Sequence, residues 1–150
     1  MAWSKEAAEA RREIIEDTLR RSPGRSFRQV CAATRIPVGT ARHHLNVLVR
    51  RQRIWYTQLG SRLAHFAGRK PDSPIARREA IAATFDKVDA GIYLAVRDEG
   101  PLMQKDILGR FEDEPKATVQ HRVKRLVRFG ILTERPQGMC RFYEVAEVLL

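Results

Sequence analysis

The sequence predicts an α+β fold, mainly helical with small β-hairpins, built as two tandem copies of one unit. Two observations lead there: a self-similarity at a spacing of 77–78 residues, and within each copy a switch from helical to alternating apolar periodicity. Ile15/Ile92, Leu19/Val96 and Val30/Ile107 match at an offset of 77. After one extra residue in the second copy the offset becomes 78. It then joins Thr40/Thr118, Leu45/Val123, Leu48/Leu126, Val49/Val127, Ile54/Leu132 and Gly60/Gly138.

Each copy opens with a helix, expected at about 5–21, where Ile14, Ile15 and Leu19 recur at helical spacing, and at about 86–98, with Val88, Ile92, Ala95 and Val96. Pro23-Gly24 and Gly100-Pro101 stop them. Short second helices follow at about 27–34 and 102–110, then turns at Ile36-Pro37 and Glu114-Pro115. The third helices are expected over about 38–51 and 116–129. Their inward stripes are Val38, Ala41, Leu45, Leu48 and Val49, and Val119, Val123, Leu126 and Val127. Hairpins close both copies: 54–59, Gly60-Ser61 and 62–67 in the first, and 131–135, Gln137-Gly138 and 140–145 in the second. Helix, helix–turn–helix, hairpin is the order of a winged helix. The expected domains are 1–67 and 75–150, joined by a linker over 68–74, Gly-Arg-Lys-Pro-Asp-Ser-Pro. The second domain carries an extra N-terminal helix over 75–85, with Ile81 and Phe85 facing in. It either ends there or runs on into the next helix past Gly91.

Composition narrows the function. At 150 residues and 43% hydrophobic the chain has material for packed cores. Its apolar runs fall far short of the roughly 20 residues that span a bilayer, and the first residues lack the apolar stretch of a signal peptide. Two cysteines, Cys31 and Cys140, make neither a disulfide framework nor a four-ligand zinc site. A cytoplasmic setting without membrane contact is expected. The formal charge of +10 is unevenly placed: residues 1–70 hold 15 basic and 5 acidic side chains, residues 71–150 hold 13 of each. No acidic residue lies between Asp17 and Asp72, a stretch that contains Arg20, Arg28, Arg42, Arg50 and Arg62 among others. Arginine outnumbers lysine 22 to 6, and guanidinium is the better fork for phosphate and guanine edges. These features point to a nucleic acid partner.

The run Thr40-Ala-Arg-His-His-Leu-Asn-Val-Leu-Val-Arg-Arg-Gln-Arg-Ile54 resembles the recognition helix and first wing strand of ArsR-like and MarR-like winged-helix regulators. Thr118-Val-Gln-His-Arg-Val-Lys-Arg-Leu-Val-Arg-Phe-Gly-Ile-Leu132 is closer still, because it keeps the glycine before the wing. Gly100-Pro-Leu-Met-Gln-Lys-Asp-Ile107 is similar to that superfamily's entry into its second helix. The resemblance implies two tandem winged helix-turn-helix domains, an arrangement common among archaeal DNA-binding proteins. Gln52 stands where the glycine usually sits, so a local difference is expected at that helix end.

With Leu45 and Leu48 inward, helical geometry points Gly39, His43, Asn46, Val47 and Arg50 outward, with Arg42 on the flank. The second copy points Ala117, His121, Lys124, Arg125 and Arg128 outward, with Gln120 on the flank. Such a face suits the major groove, where Arg forks onto guanine and Asn or Gln onto adenine. Thr40 and Thr118, near the helix starts, either cap the helix or bond a phosphate. Arg28 and Lys116 join the candidate set, and the wings add Arg62, Arg141, Arg53 and Arg135 against backbone or minor groove. Lys5, Arg11 and Arg12 lie at helical spacing from acidic neighbours and read as intrahelical pairs.

His43, His44, His65 and His121 lack metal-ligand spacing and read as surface or DNA-contacting histidines; no metal, cofactor or catalytic constellation is expected. Cys31 reads as core and Cys140 as exposed, while Trp55 and Tyr56 either cover the core or stack on bases. The function expected is a double-stranded DNA-binding transcriptional regulator, nucleoid-associated, acting as a two-headed monomer or a homodimer. A chromatin-associated, sequence-neutral binder is the near alternative. A tandem winged-helix scaffold for protein partners in a transcription complex is the distant one.

Overall fold

The computed structural model describes residues 4–146, and the chain divides into two compact units, Met1–Pro71 and Asp72–Leu150. Among the described residues the fold is α+β, with seven helices and two small antiparallel sheets. The first unit comprises α1 (Lys5–Arg21), α2 (Phe27–Thr34), α3 (Val38–Arg50), β1 (Ile54–Leu59) and β2 (Arg62–Ala67). The second comprises α4 (Pro74–Ala82), α5 (Lys87–Glu99), β3 (Leu102–Met103), α6 (Gln104–Gly109), α7 (Lys116–Arg128), β4 (Leu132–Gln137) and β5 (Cys140–Val145). No helix among the described residues is long and apolar enough to cross a membrane.

In the first unit, Ser4 caps α1 through the Ala7 amide, and Ser26 and Gln29 form a reciprocal capping box on α2. The apolar stripes of the three helices meet in a core of Ile15, Leu19, Val30, Ile36, Ala41, Leu45, Leu48 and Ile54. The β1–β2 hairpin closes it, with Trp55 stacked on Phe66 at 4.3 Å between ring centroids. Trp55 is therefore a core cover. In the second unit the corresponding positions Ile92, Val96, Ile107, Val119, Val123, Leu126 and Leu132 are all buried.

The repeat extends into backbone detail. In the second unit β3 adds to the hairpin, pairing Leu102 with Tyr143. The first unit makes the same contact as a single bridge, Arg25 with His65, held by the His65 amide donating to the Arg25 carbonyl at 2.9 Å. The third helices also end alike. Gly130 sits at φ 77° and donates to the Val127 carbonyl, while the Ile131 amide reaches Leu126. Gln52 takes φ 58°, donates to Val49, and the Arg53 amide reaches Leu48. The expected local difference does not occur. The turn geometry is imposed on a glutamine that must hold a left-handed conformation.

Several sequence expectations need correction. Residues 102–103 are strand, not helix, because β5 offers a free edge; the Met103 amide is then held by the Asp106 carboxylate at 3.1 Å. Ser73 and Pro74, assigned to the linker, are the cap and first residue of α4. That helix stops at Ala82 rather than Phe85 and does not run on, because Asp86 caps a new helix through the Asp89 amide. Strand β4 continues through Pro136 to Gln137, and the turn is Gly138-Met139. Proline is tolerated there because β4 is an edge strand. Val38, placed in the inward stripe, is 56% exposed at the first turn of α3, which projects past the core.

Two buried histidines tie the first unit together. Arg12 Nε donates to His44 Nδ1 at 3.3 Å, which places the His44 proton on the other ring nitrogen. His65 Nδ1 lies 2.9 Å from the Arg25 carbonyl, so there Nδ1 carries the proton. Burial holds His44 below its ordinary value, and the nearby Arg12 charge pushes the same way. Burial also lowers His65, partly opposed by its bond to Arg25.

Two predictions follow from these features. Gln52→Gly removes left-handed strain of about 1–2 kcal/mol and adds roughly 0.5–1 kcal/mol of chain entropy to the unfolded state. Urea denaturation is therefore expected to show a net gain of about 0.5–1 kcal/mol. The second concerns pH. Both histidines bind protons more weakly folded than unfolded, so their stabilisation is complete above the unfolded value near 6.5 and is lost as pH falls below it. Glu9 and Asp86, held below their ordinary 4.5 and 3.8, act only at lower pH. Stability of the first unit is expected to drop between pH 7 and 5, and His44→Leu/His65→Phe to flatten that slope.

Candidate nucleic-acid interface

The third helix of each unit lies with one side on the core and a flank beneath the first helix of its unit, which decides what remains exposed. On α3 the flank residues His44 and Val47 are buried at 1% and 7% exposure. Both were expected on the surface; α1 covers them, with Arg12 meeting His44. On α7 the equivalent flank holds Arg122 and Arg125, which turn back to α5. Arg125 pairs with Asp89, and Arg122 pairs with Asp86 and with Asp89 at 3.2 Å. Asp89 is buried, its side chain 3% exposed. Burial opposes ionisation of Asp86, but the Asp89 amide and the Arg122 guanidinium outweigh it and hold its carboxyl below the usual range. Arg125 is thus committed inside its unit and leaves the candidate set.

Arg53 leaves it too. Its guanidinium bridges Glu9 at 2.6 Å and Glu16, tying the start of the hairpin to α1. In the second unit the equivalent position is Ile131, fully buried. The signal was present in the sequence: Arg53 stands where the other copy has an apolar core residue.

What remains is one face per helix, matched position by position at an offset of 78. Arg42/Gln120, His43/His121, Asn46/Lys124 and Arg50/Arg128 are exposed apart from the half-buried Gln120. Thr40 and Thr118 are half-buried beside this face, and Lys116 is exposed at the start of α7. Neither threonine caps its helix: α3 and α7 begin directly after Pro37 and Pro115 without a side-chain cap. On α7 the Thr118 amide instead turns back to the Pro115 carbonyl at 3.0 Å. Among the described residues Arg50, Lys124 and Arg128 make no ion pair, while Arg42 lies over the Phe27 ring at 4.8 Å. Arg28 is exposed on α2.

Every carboxylate of residues 1–71 sits on α1, where Glu9, Glu16 and Asp17 engage Arg12, Arg20, Arg51 and Arg53. The α3 face is therefore left with uncompensated positive charge. The second unit is more mixed. Its groove between α7 and the hairpin, about 770 Å³, is bordered by His121, Lys124, Arg128, Glu134 and Arg141. Glu134 accepts from Arg141 at 3.1 Å, although the Arg141 side chain remains 73% exposed. In the first hairpin, Arg62 spends one N–H on the Gly24 carbonyl at 3.0 Å. Arg135 pairs with Glu144 at 3.6 Å.

Cys31 is half-buried against the core and Cys140 is exposed. Among the described residues no three His, Cys, Asp or Glu side chains gather as a metal-binding set.

No known family matches the sequence, and no curated protein matches it. Two of the solved structures that the chain resembles show a weak likeness. The DIP2311 protein from Corynebacterium diphtheriae is 18% identical with a TM-score of 0.34, over 95% of this chain and 27% of that one. The chain therefore spans about a quarter of that longer protein. ScpB from Mycobacterium tuberculosis is 14% identical with a TM-score of 0.35, over 98% of this chain and 94% of that one. At these values neither likeness transfers a fold or a function.

The Asp89 cluster gives a testable consequence. Removing the carboxylate charge leaves two arginines without their shared partner. Because those arginines are partly solvated, Asp89→Asn is expected to cost about 1–3 kcal/mol rather than the larger loss typical of fully buried pairs. Thermal or urea denaturation of the variant checks this.

Proposed function

We propose that the chain is a double-stranded DNA-binding protein acting as a transcriptional regulator. In this reading each unit is a winged helix-turn-helix that inserts α3 or α7 into the major groove and rests its hairpin on the backbone or minor groove. It is a binding protein rather than an enzyme. One observation carries the reading: both third helices present the same exposed face, free of carboxylates, at equivalent positions. Arg42, Asn46 and Arg50 on α3, and Gln120, Lys124 and Arg128 on α7, are the side-chain types that meet base edges and phosphates. His43 and His121 lie between them. Thr40, Thr118, Lys116 and Arg28 border the face at the phosphate level, and Arg62 and Arg141 extend it along the hairpins.

The charge distribution supports unequal shares. The first unit keeps Arg25, Arg28, Arg35, Arg42 and Arg50 outside any ion pair among its described residues, whereas the second unit neutralises Arg122 and Arg125 internally. Most counterion release, and so most affinity, is assigned to the first unit.

The test is titration of a mixed-sequence duplex at several salt concentrations. Binding is expected to weaken with a log–log slope steeper than about −4, since each neutralised phosphate contributes about −0.9. Arg42→Ala/Arg50→Ala and Lys124→Ala/Arg128→Ala are each expected to lose about tenfold or more in affinity, the first pair losing more. Arg53→Ala is expected to lower stability while leaving the affinity of the folded protein unchanged. No binding at low salt would overturn the reading and favour the protein scaffold.

A further inference from the structure

We propose that the groove between α3 and the first hairpin selects A·T base pairs, with Asn46 meeting the adenine edge and an apolar slot of Val49, Tyr56 and Leu63 receiving the thymine methyl. This rests on the DNA-binding reading of the same face and adds which base pair that face chooses.

The slot, about 260 Å³, opens beside Arg42 and Asn46. Its walls are unusual for a cationic surface: Tyr56 is 45% exposed and Leu63 is 42% exposed. Gathered in one slot rather than scattered, these apolar groups offer a place for an apolar complement. A second, more open groove of about 490 Å³ shares Asn46, Val49 and Tyr56 with the slot and adds His43 and Arg50. Asn46 therefore borders both. Its amide offers one donor direction and one acceptor direction, the pattern that pairs with N7 and N6 of adenine. In the major groove the thymine methyl is the apolar group that base edges present. An asparagine beside an apolar slot, flanked by Arg42 and Arg50 for the phosphates, thus matches both halves of one A·T pair.

The second unit is an internal control. At an offset of 78, Asn46 becomes Lys124, Tyr56 becomes Glu134 and Leu63 becomes Arg141. Glu134 and Arg141 bond to each other at 3.1 Å, so charge occupies the place of the slot. The methyl site is absent there, and the amide on that face is Gln120, half-buried at the position of Arg42 rather than of Asn46.

The experiment is competition binding of the full chain to three alternating duplexes of about three helical turns: A·T, the same with deoxyuridine replacing thymidine, and G·C. The A·T duplex is expected to compete best. Replacing thymidine by deoxyuridine removes only the methyl and is expected to weaken binding about fourfold, the value of one buried methyl group. Asn46→Lys/Leu63→Arg, which installs the second unit's residues, is expected to lower affinity for the A·T duplex to that for the G·C duplex. It is also expected to abolish the difference between thymidine and deoxyuridine. A misfolded variant would instead lose affinity for all three. Equal competition by the thymidine and deoxyuridine duplexes against the unsubstituted chain would overturn the proposal while leaving DNA binding intact, and would point to a protein side chain as the occupant of the slot. Absence of binding to any duplex would overturn both this inference and the DNA reading beneath it.

Discussion

The contact between the first helix of each unit and one flank of its third helix is the constraint on which the rest depends. In the first unit it joins Arg12 to His44 and covers Val47; in the second it joins Asp89 to Arg122 and Arg125. The same place in the repeat is filled once by a neutral histidine and a valine and once by a buried charge cluster. Either solution fixes the rotation of the third helix about its axis. That rotation determines which residues can reach a ligand. Arg42, Asn46 and Arg50 are left exposed because residues 44, 45, 47 and 48 are committed to α1 and the core.

Charge follows from the same arrangement. In the first unit all carboxylates lie on α1, and those that pair outside it take Arg51 and Arg53, near the junction of α3 and β1. The helix thus absorbs cations that belong to the fold and leaves the opposite face of α3 uncompensated. In the second unit, acids on α5 absorb two of the cations on α7 itself. The formal excess of +10 in residues 1–70 is therefore also an excess at one surface. The exposed pairs among them contribute little to stability individually, so their larger consequence is to sort arginines between structure and surface.

Much of this was legible in the sequence because an internal repeat supplies two readings of each position. The offsets of 77 and 78 located the helices, the hairpins and the core pairs Ile15/Ile92, Leu45/Val123 and Leu48/Leu126. What escaped depended on partners distant in sequence. Helical periodicity alone put Val47 and Arg125 outward, because it cannot say which flank a neighbouring helix covers. Arg53 read as a wing contact because its acidic partners lie 37 and 44 residues earlier, on α1. The comparison of Arg53 with Ile131 carried the missing information. Strand β3 was hidden because its two residues are strand only by virtue of β5 beside them. Gln52 shows the converse: a residue with no preference for a left-handed turn adopts one because the fold requires it.

The most direct test of the central claim is residue-resolved NMR mapping of amide shifts as a mixed-sequence duplex is added to the full chain. The account predicts that the perturbed amides cluster at Gly39–Arg50 and Ala117–Arg128 and along the two hairpins, while those on the solvent side of α1 and along α4 stay still. Perturbations centred on α1 or α4, or none along α3 and α7, would contradict it.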